Sequence, residues 1–351
     1  MLFDVPNEPL WAIFTPQVID TLQRARNPSD LLVTRLRVLA AGGMHSSTWP
    51  DQAFRAYKSA WEVYLFAAFA CGLFEGPQGA DLKARLTGSD DENFRSAMSE
   101  CLAAWYLAGR LRLQIEPRPE GRPGHPLEFV IRLPAGDINV EVKAPYRPIT
   151  DNAWWGDDAD LLQRALRTAN KQFETGASNL LVIIPALRLS VFDRRTPIER
   201  AFIGEAIIQI PIDTRTGGPA GPTTFPFKQS GDFLRTWRAP RQHTAQWAPR
   251  HTQIGAALFL GEYEDGPEIK HRALIVHNPN AVVPLPRDPW SGIPEFSRQS
   301  GRWRWSDLDD RRLQRDAPDI WDVIRPGSEW LTDPKKFERE VGDWPREVSP
   351  T

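Results

Sequence analysis

The sequence predicts an α/β fold in which a mixed central sheet is flanked by helices and carries a helical N-terminal extension. Three observations support this. Apolar residues recur at helical spacing through residues 1–75, whereas residues 127–143 alternate between apolar and polar side chains as β-strands do. Between that alternating segment and a continuous apolar run at residues 179–185 lies an amphipathic helix, the usual connection between parallel strands.

The composition is that of a globular protein and excludes several classes. Hydrophobic residues make up 41% and charged residues 25% of the 351 residues, which excludes wholesale disorder. The formal net charge of −2 excludes a generally basic nucleic-acid-binding surface but leaves room for a local basic cleft. The longest apolar run, residues 63–74, is too short to cross a bilayer, and no signal-peptide pattern is present. Two cysteines, Cys71 and Cys101, are too few for a disulfide framework, so we expect a cytoplasmic protein without a membrane partner.

The N-terminal part is predicted to consist of helices. Asn-Pro-Ser-Asp at residues 27–30 is typical of a helix start, and Thr-Trp-Pro-Asp at residues 48–51 opens a longer helix. Residues 75–91 are rich in glycine and polar residues, which predicts a linker or an exposed loop. A further helix is expected from about residue 91 to residue 109. We accordingly divide the chain into a helical N-terminal region at 1–90, a core at 91–285 and a C-terminal extension rich in Trp and Pro at 286–351.

The predicted core begins with a β-hairpin. Residues 127–133 and 138–143 alternate like strands, and Pro-Ala-Gly-Asp at residues 134–137 has the composition of a turn. The continuous apolar run that follows indicates a strand covered on both faces. The elements expected after the hairpin are a helix at about 158–173, a buried strand at 179–185, a helix that starts near 196, and strands at 255–262 and 271–277.

The hairpin is expected to bring three charged side chains to one face. A four-residue turn would pair Leu133 with Ile138 and place Glu128 opposite Lys143. Because strand side chains alternate with period two, Glu128, Glu141 and Lys143 would then share one face of the sheet. Two carboxylates at this spacing can hold one Mg²⁺, and an adjacent amine can orient water or stabilise negative charge. The alternative is a solvated sheet face with an ordinary Glu–Lys cross-strand pair.

The same region resembles the PD-(D/E)XK nuclease superfamily. Its members carry an acid on the first core strand, often after proline, and then an apolar strand that ends in Asp/Glu-X-Lys. Residues 126–128 (Pro-Leu-Glu) and 141–143 (Glu-Val-Lys) match these two elements, and the resemblance covers roughly residues 91–210. It implies a restriction-endonuclease-like core and metal-dependent hydrolysis of phosphodiester bonds.

The resemblance also implies roles for residues of the hairpin. Glu128 and Glu141 would hold Mg²⁺, for which Mn²⁺ can substitute, and the main-chain carbonyl of Val142 would assist them. Lys143 would orient the attacking water or stabilise negative charge on the phosphate. These four residues form the expected catalytic and metal-binding centre.

Two helices would complete the site that the resemblance implies. Glu100, on the helix before the hairpin, would be an outer metal ligand. It lies at the border of an apolar face, so a solvated surface glutamate is the alternative. On the helix after the hairpin, Lys171 or Gln172 would steer the attacking water or bind a phosphate, and Gln163 is a third candidate.

A second segment favours contact with nucleic acid. Residues 235–251 contain four Arg, two His, two Trp and no acidic residue. Arginine can contact phosphates and tryptophan can stack on bases. A stiff surface loop is the alternative. The predicted nucleic-acid contacts are Arg235, Trp237, Arg238 and Arg241, together with Lys171.

The motifs therefore point to a nuclease and away from other enzyme classes. The sequence contains no GxSxG, GxGxxG, P-loop or HExxH pattern. We expect a metal-dependent endonuclease that acts on DNA, and analogy with the family suggests a restriction or defence setting. The alternatives are a catalytically inactive nuclease-like scaffold that binds nucleic acid or a protein partner, and an α/β interaction protein of another fold. The sequence leaves open an oligomeric state and a protein partner for the N-terminal helices.

Overall fold

The structure is a computed structural model that describes part of the chain. No helix in that part combines the length and the apolar content needed to span a bilayer. The described residues are 6–41, 49–117, 127–146, 158–185, 195–202, 205–206, 215, 227–228, 233–237, 246–249, 251–299 and 302–307.

Helices precede the sheet. They are α1 (Pro9–Ile13), α2 (Pro16–Gln23), α3 (Asp30–Ala40), α4 (Trp49–Ala70), α5 (Gly76–Thr87) and α6 (Asp91–Ala104). The amide of Leu32 donates to the Ser29 hydroxyl at 3.1 Å, which caps α3 and confirms the helix start predicted there. The carboxylate of Asp90 caps α6 in the same way. The chain then continues from α6 as a π-helical turn, Trp105–Arg110.

Residues 75–91 contain helix α5, so the prediction of a linker is wrong. Pro77 stands in the first turn of α5, where its missing N–H costs nothing. Gly79 packs so closely on Phe74 that a Cβ atom would lie 2.2 Å from the carbonyl carbon of Phe74. The glycine and proline that suggested a loop are therefore a close-packing residue and a helix-start residue.

Strands and two further α-helices follow, with a short 3-10 turn at Asp288–Trp290. In chain order they are β1 (Gln114–Pro117), β2 (Phe129–Arg132), β3 (Ile138–Lys143), α7 (Asp158–Gln172), β4 (Ser178–Ile183), α8 (Thr196–Phe202), β5 (Glu205–Ala206), β6 (Phe227–Lys228), β7 (Leu234–Trp237), β8 (Gln246–Pro249), β9 (Ala256–Asp265), β10 (Glu268–His277), β11 (Glu295–Gln299) and β12 (Arg302–Trp305). The predicted hairpin and the strands expected near 179, 255 and 271 are confirmed.

One mixed sheet dominates the architecture. Eight strands lie in the order β1-β2-β3-β4-β9-β10-β11-β12, while β5 pairs with β6 and β7 with β8. The strands β3, β4 and β9 are parallel to one another, whereas β2 and β10 run antiparallel to their neighbours β3 and β9. The prediction of a mixed α/β sheet flanked by helices is confirmed.

Helices cover both faces of the sheet. On one face, which we call the α6 face, Phe129, Val140 and Leu258 share a core with side chains of the N-terminal helices. On the other, which we call the α7 face, Leu181 and Ile183 pack with side chains of α7 and α8. The helices of the N-terminal region thus build one of the two layers over the sheet.

The hairpin register differs by two residues from the prediction. Ile138 pairs with Ile131, so the loop is longer than the expected four-residue turn. The guanidinium of Arg132 binds the carboxylates of Glu116 on β1 and Asp137 in the loop. These ion pairs join the loop to β1 and favour the longer connection.

Candidate metal centre

Glu128, Glu141 and Lys143 lie together on the α7 face, at the end of the hairpin remote from its loop. Glu128 comes just before β2, and its amide donates to the carbonyl of Val140 at 3.2 Å. Glu141 and Lys143 lie in the second half of β3. A register shift of two residues preserves the face of every side chain, so the predicted common face holds. Glu128, however, stands opposite Glu141 and not opposite Lys143.

The side chain of Glu141 is buried and only half satisfied. Its exposed fraction is 0%. The Nζ atom of Lys143 donates to Oε1 of Glu141, but Oε2 has no hydrogen-bond partner among the described residues. A buried carboxylate oxygen without a donor is costly. A cation that enters the site would find its strongest oxygen donor at this atom.

The two facing carboxyl groups resist ionisation together. Burial raises the pKa of Glu128 well above its usual value, and the negative charges of Glu141 and Glu100 raise it further, while Lys143 opposes the shift. Burial also raises the pKa of Glu141, against the lowering effect of Lys143. Without a cation the site therefore retains protons above the usual titration range of glutamate, and a divalent cation would displace them.

The donor set suits one cation of the Mg²⁺ type. Mg²⁺ binds oxygen ligands and usually takes one or two protein carboxylates, with water and phosphate oxygens at its other positions. Glu128 and Glu141 supply two carboxylates. The described residues include no group of three or more His, Cys, Asp or Glu side chains that could hold a metal ion. The side chain of Val142 is buried on the α6 face, so only its carbonyl could assist.

Glu100 is held by a cation of the protein itself. The guanidinium of Arg85 on α5 donates to both carboxylate oxygens of Glu100, at 2.6 Å and 3.2 Å. Glu100 is 3% exposed, and its charge raises the pKa of Glu128. It thus lies near the centre, as predicted, but Arg85 occupies the oxygens that an outer metal ligand would need.

Helix α7 places two predicted residues at the wrong end of the sheet. It joins the parallel strands β3 and β4, so it runs antiparallel to both. Lys171 and Gln172 therefore lie near the start of β3, and this six-residue strand carries Lys143 roughly 16 Å farther at 3.3 Å per residue. This corrects the prediction that Lys171 or Gln172 steers the attacking water. Gln163, more than two turns earlier, lies in the first half of α7 and is only 4% exposed, and its Oε1 accepts from Arg167.

The predicted nucleic-acid segment is described only in part. Arg235 and Trp237 belong to β7, which pairs with β8. Arg238 and Arg241 lie outside the described residues. Contact of these four residues with nucleic acid stays a prediction.

Arg85 is the residue near the centre that sequence reasoning missed. It falls in the segment that was predicted to be a linker, where no face could be assigned to it. The helical spacing of Leu82 and Leu86, which are both fully buried, is the signal that could have revealed α5 and placed Arg85 beside its apolar face.

Comparisons of the chain with protein-family models, with curated proteins and with solved structures found no match.

Proposed function

We propose that the protein is a metal-dependent nuclease that hydrolyses phosphodiester bonds in DNA. The observation that carries this proposal is the meeting of Glu128 and Glu141 beside Lys143, with one buried oxygen of Glu141 lacking a partner in the described part of the chain. The site disfavours the charge of both acids, and the charge of Glu141 disfavours that of Glu128 further, so the pair gains when a cation binds between them. With a cation bound between the two acids and the amine of Lys143 beside them, the site could accept a phosphate despite its negative charge.

Each residue of the centre has a proposed task. Glu128 and Glu141 would hold Mg²⁺ or Mn²⁺, which supplies charge neutralisation at the phosphate and makes water more acidic. Lys143 Nζ, held in place by Glu141, would donate to a phosphate oxygen or to the attacking water. Gln163 replaces Lys171 and Gln172 as the candidate on α7 that orients water, since it faces the sheet on the appropriate half of the helix.

The choice of DNA as substrate rests on the family resemblance of the hairpin and on the basic composition of residues 235–251. A restriction or defence setting rests on analogy with that family alone. RNA of matched sequence is the necessary comparison, because phosphate chemistry alone does not distinguish the two polymers.

A second candidate function is a catalytically inactive scaffold that binds nucleic acid or a protein partner. The observation that favours it is the saturation of Glu100 by Arg85, which leaves two carboxylates for a metal where the resemblance implies three. The two proposals differ in one respect that can be measured, since only the nuclease needs Glu141 and Lys143 for turnover.

The test is cleavage of plasmid and single-stranded DNA, with RNA in parallel, in the presence of Mg²⁺ or Mn²⁺. We expect metal-dependent nicking by the wild type and a loss of at least about a hundredfold in Glu141→Gln and in Lys143→Ala. The matched controls are Glu92→Gln and Lys83→Ala, both at exposed helix positions away from the centre. Cleavage that survives in both site variants would contradict the proposal, and binding of DNA without metal-dependent cleavage would favour the scaffold.

A further inference from the structure

A cleft of about 660 Å³ opens on the α6 face, on the side of the sheet opposite Glu128 and Glu141. It lies between α4, the π-helical turn and the outer half of β10. Its volume is in the range of small-molecule sites, which are typically about 300–1,000 Å³. Its lining includes the side chains of Tyr64, Trp105, Arg110 and His271.

Two side chains that line this cleft, Tyr64 and His271, form a hydrogen-bonded chain with Glu262. The hydroxyl of Tyr64 lies 2.6 Å from Oε1 of Glu262 and also contacts Nε2 of His271. Tyr64 is 1% exposed, and burial with the neighbouring Glu262 raises its pKa above the usual value, so it keeps its proton. Burial and the charge of Arg110 lower the pKa of His271 to about 4, so this imidazole is neutral at pH 7.

These protonation states fix the role of each ring nitrogen of His271. Tyr64 has a single proton, and it donates it to the carboxylate of Glu262. Nε2 of His271 must then carry the ring proton and donate to the Tyr64 oxygen. Nδ1 consequently presents a lone pair, and it has no hydrogen-bond partner among the described residues. Since His271 lines the cleft, a ligand that enters meets a fixed hydrogen-bond acceptor.

The π-helical turn supplies an aromatic surface and a cation. The rings of Trp105 and His271 have centroids 4.2 Å apart, and Trp105 also lies 5.5 Å from the ring of Tyr64. A Cβ atom on Gly109 would lie only 3.3 Å from Cδ1 of Trp105, so the glycine leaves room for this indole position. Arg110 ends the turn with an exposed guanidinium, close enough to His271 to lower its pKa. Turns of this kind occur frequently at functional sites.

We propose that this cleft binds a nucleoside monophosphate. The base would lie against Trp105 and donate an edge N–H to Nδ1 of His271, while the phosphate would pair with Arg110. Among the other lining residues Glu268 and Lys270 carry opposite charges, so Arg110 gives the lining its net positive charge. The proposal does not depend on the nuclease activity, because it involves another face and other residues.

The test is isothermal titration of the full chain with AMP, CMP, GMP and UMP at pH 7.5. We expect at least one of them to bind with Kd below about 1 mM, which corresponds to a modest small-ligand affinity. His271→Gln retains a group that can reach Tyr64 but lacks the acceptor at Nδ1, and it should weaken binding at least about tenfold. Arg110→Gln should weaken it to a similar extent. The control is Arg24→Gln, at an exposed position of the chain remote from the cleft.

Three results would overturn the proposal. The first is that none of the four nucleotides binds at concentrations up to about 5 mM, well above the expected Kd. The second is equal affinity of wild type, His271→Gln and Arg110→Gln, and the third concerns partial ligands. Adenosine and inorganic phosphate serve as partial ligands, and either of them binding as tightly as AMP would show that base and phosphate are not recognised together. Circular dichroism and the melting temperature of each variant verify that the fold persists.

Discussion

Two buried glutamates in this protein differ in how their carboxylate oxygens are paired. Glu100, on α6, has both carboxylate oxygens bound by Arg85. Glu141, on β3, has one oxygen bound by Lys143 and the other without a partner in the described residues. Both are almost inaccessible to water, at 3% and 0% exposure. The difference between them is therefore one of pairing and not of burial.

This difference separates a structural acid from a reactive one. A carboxylate with a bidentate guanidinium partner has little to gain from a further cation. A carboxylate with an unpartnered oxygen, next to a second acid whose pKa is raised, has much to gain. The contrast teaches that burial of an acid alone does not indicate a functional site, whereas incomplete pairing beside another acid does.

The largest expected effect is on stability, from Arg85→Ala. Removal of one partner of a buried ion pair leaves the other charge uncompensated, at a typical cost of about 3–5 kcal/mol. We expect the free energy of unfolding to fall by about 3 kcal/mol, the lower end of this range, because the Arg85 side chain is partly exposed. Urea denaturation at pH 7 is the measurement.

Arg24→Ala is the matched control for this loss. Arg24 pairs with Asp20 across one helical turn at 2.8 Å, but both side chains are exposed, so the change should be small. The addition of Glu100→Gln to Arg85→Ala should restore part of the stability, since it removes the unpaired charge. Equal effects of the two arginine substitutions would contradict the view that Glu100 depends on Arg85.

The next effect has the opposite sign and concerns Glu128→Gln. In the folded protein the pKa of Glu128 is raised, mainly by burial and the charge of Glu141, so its ionised form is disfavoured. Its contribution to stability is full below the usual glutamate pKa and is lost as the pH rises through the raised value. At pH 8 without divalent cations, we expect Glu128→Gln to increase the free energy of unfolding by about 2 kcal/mol, a typical cost of a poorly compensated buried group.

The pH dependence separates this effect from other buried acids. Burial also raises the pKa of Glu199 to about 7, so wild type and variant share that contribution and it cancels in their difference. Urea denaturation at pH 4, 6 and 8 should show a stability difference that grows with pH. Glu92→Gln, at an exposed position, should show none. A difference that stays constant from pH 4 to pH 8 would contradict the raised pKa of Glu128.

Sequence patterns could predict the common face of the centre but not its register. The alternation of apolar and polar residues in β2 and β3 fixes which side chains face α7, and a shift by two residues leaves that unchanged. The register depends on the loop, and Arg132 ties the loop to Glu116, a residue of another strand. Such a non-local ion pair leaves no local pattern. The position of Glu128 directly opposite Glu141 could therefore not be predicted from the sequence.

The errors in the helices have two different causes. Helix α5 was missed because residues 75–91 are rich in glycine and polar residues, whereas Gly79 is required by its close contact with Phe74, which only the folded structure reveals. The assignment of Lys171 and Gln172 was avoidable, because a helix between two parallel strands must run antiparallel to them. That rule alone places the first half of α7, and Gln163 with it, on the side of Lys143.

The smallest expected effect is stabilisation of the fold by Mg²⁺, which most directly tests the difference between Glu141 and Glu100. If Glu128 and Glu141 bind Mg²⁺, the folded state gains RT ln(1 + [Mg²⁺]/Kd), about 1 kcal/mol at a concentration near five times Kd. The gain should increase from pH 6 to pH 8, since the cation displaces protons that the two raised pKa values retain. Thermal unfolding with and without MgCl₂ measures it, and Ca²⁺-free, EDTA-treated protein gives the baseline. Glu141→Gln should abolish the gain, whereas Glu92→Gln should preserve it. A gain of equal size in Glu141→Gln would mean that Mg²⁺ binds elsewhere, and the half-satisfied carboxylate would then be an unfavourable feature of the fold and not a metal site.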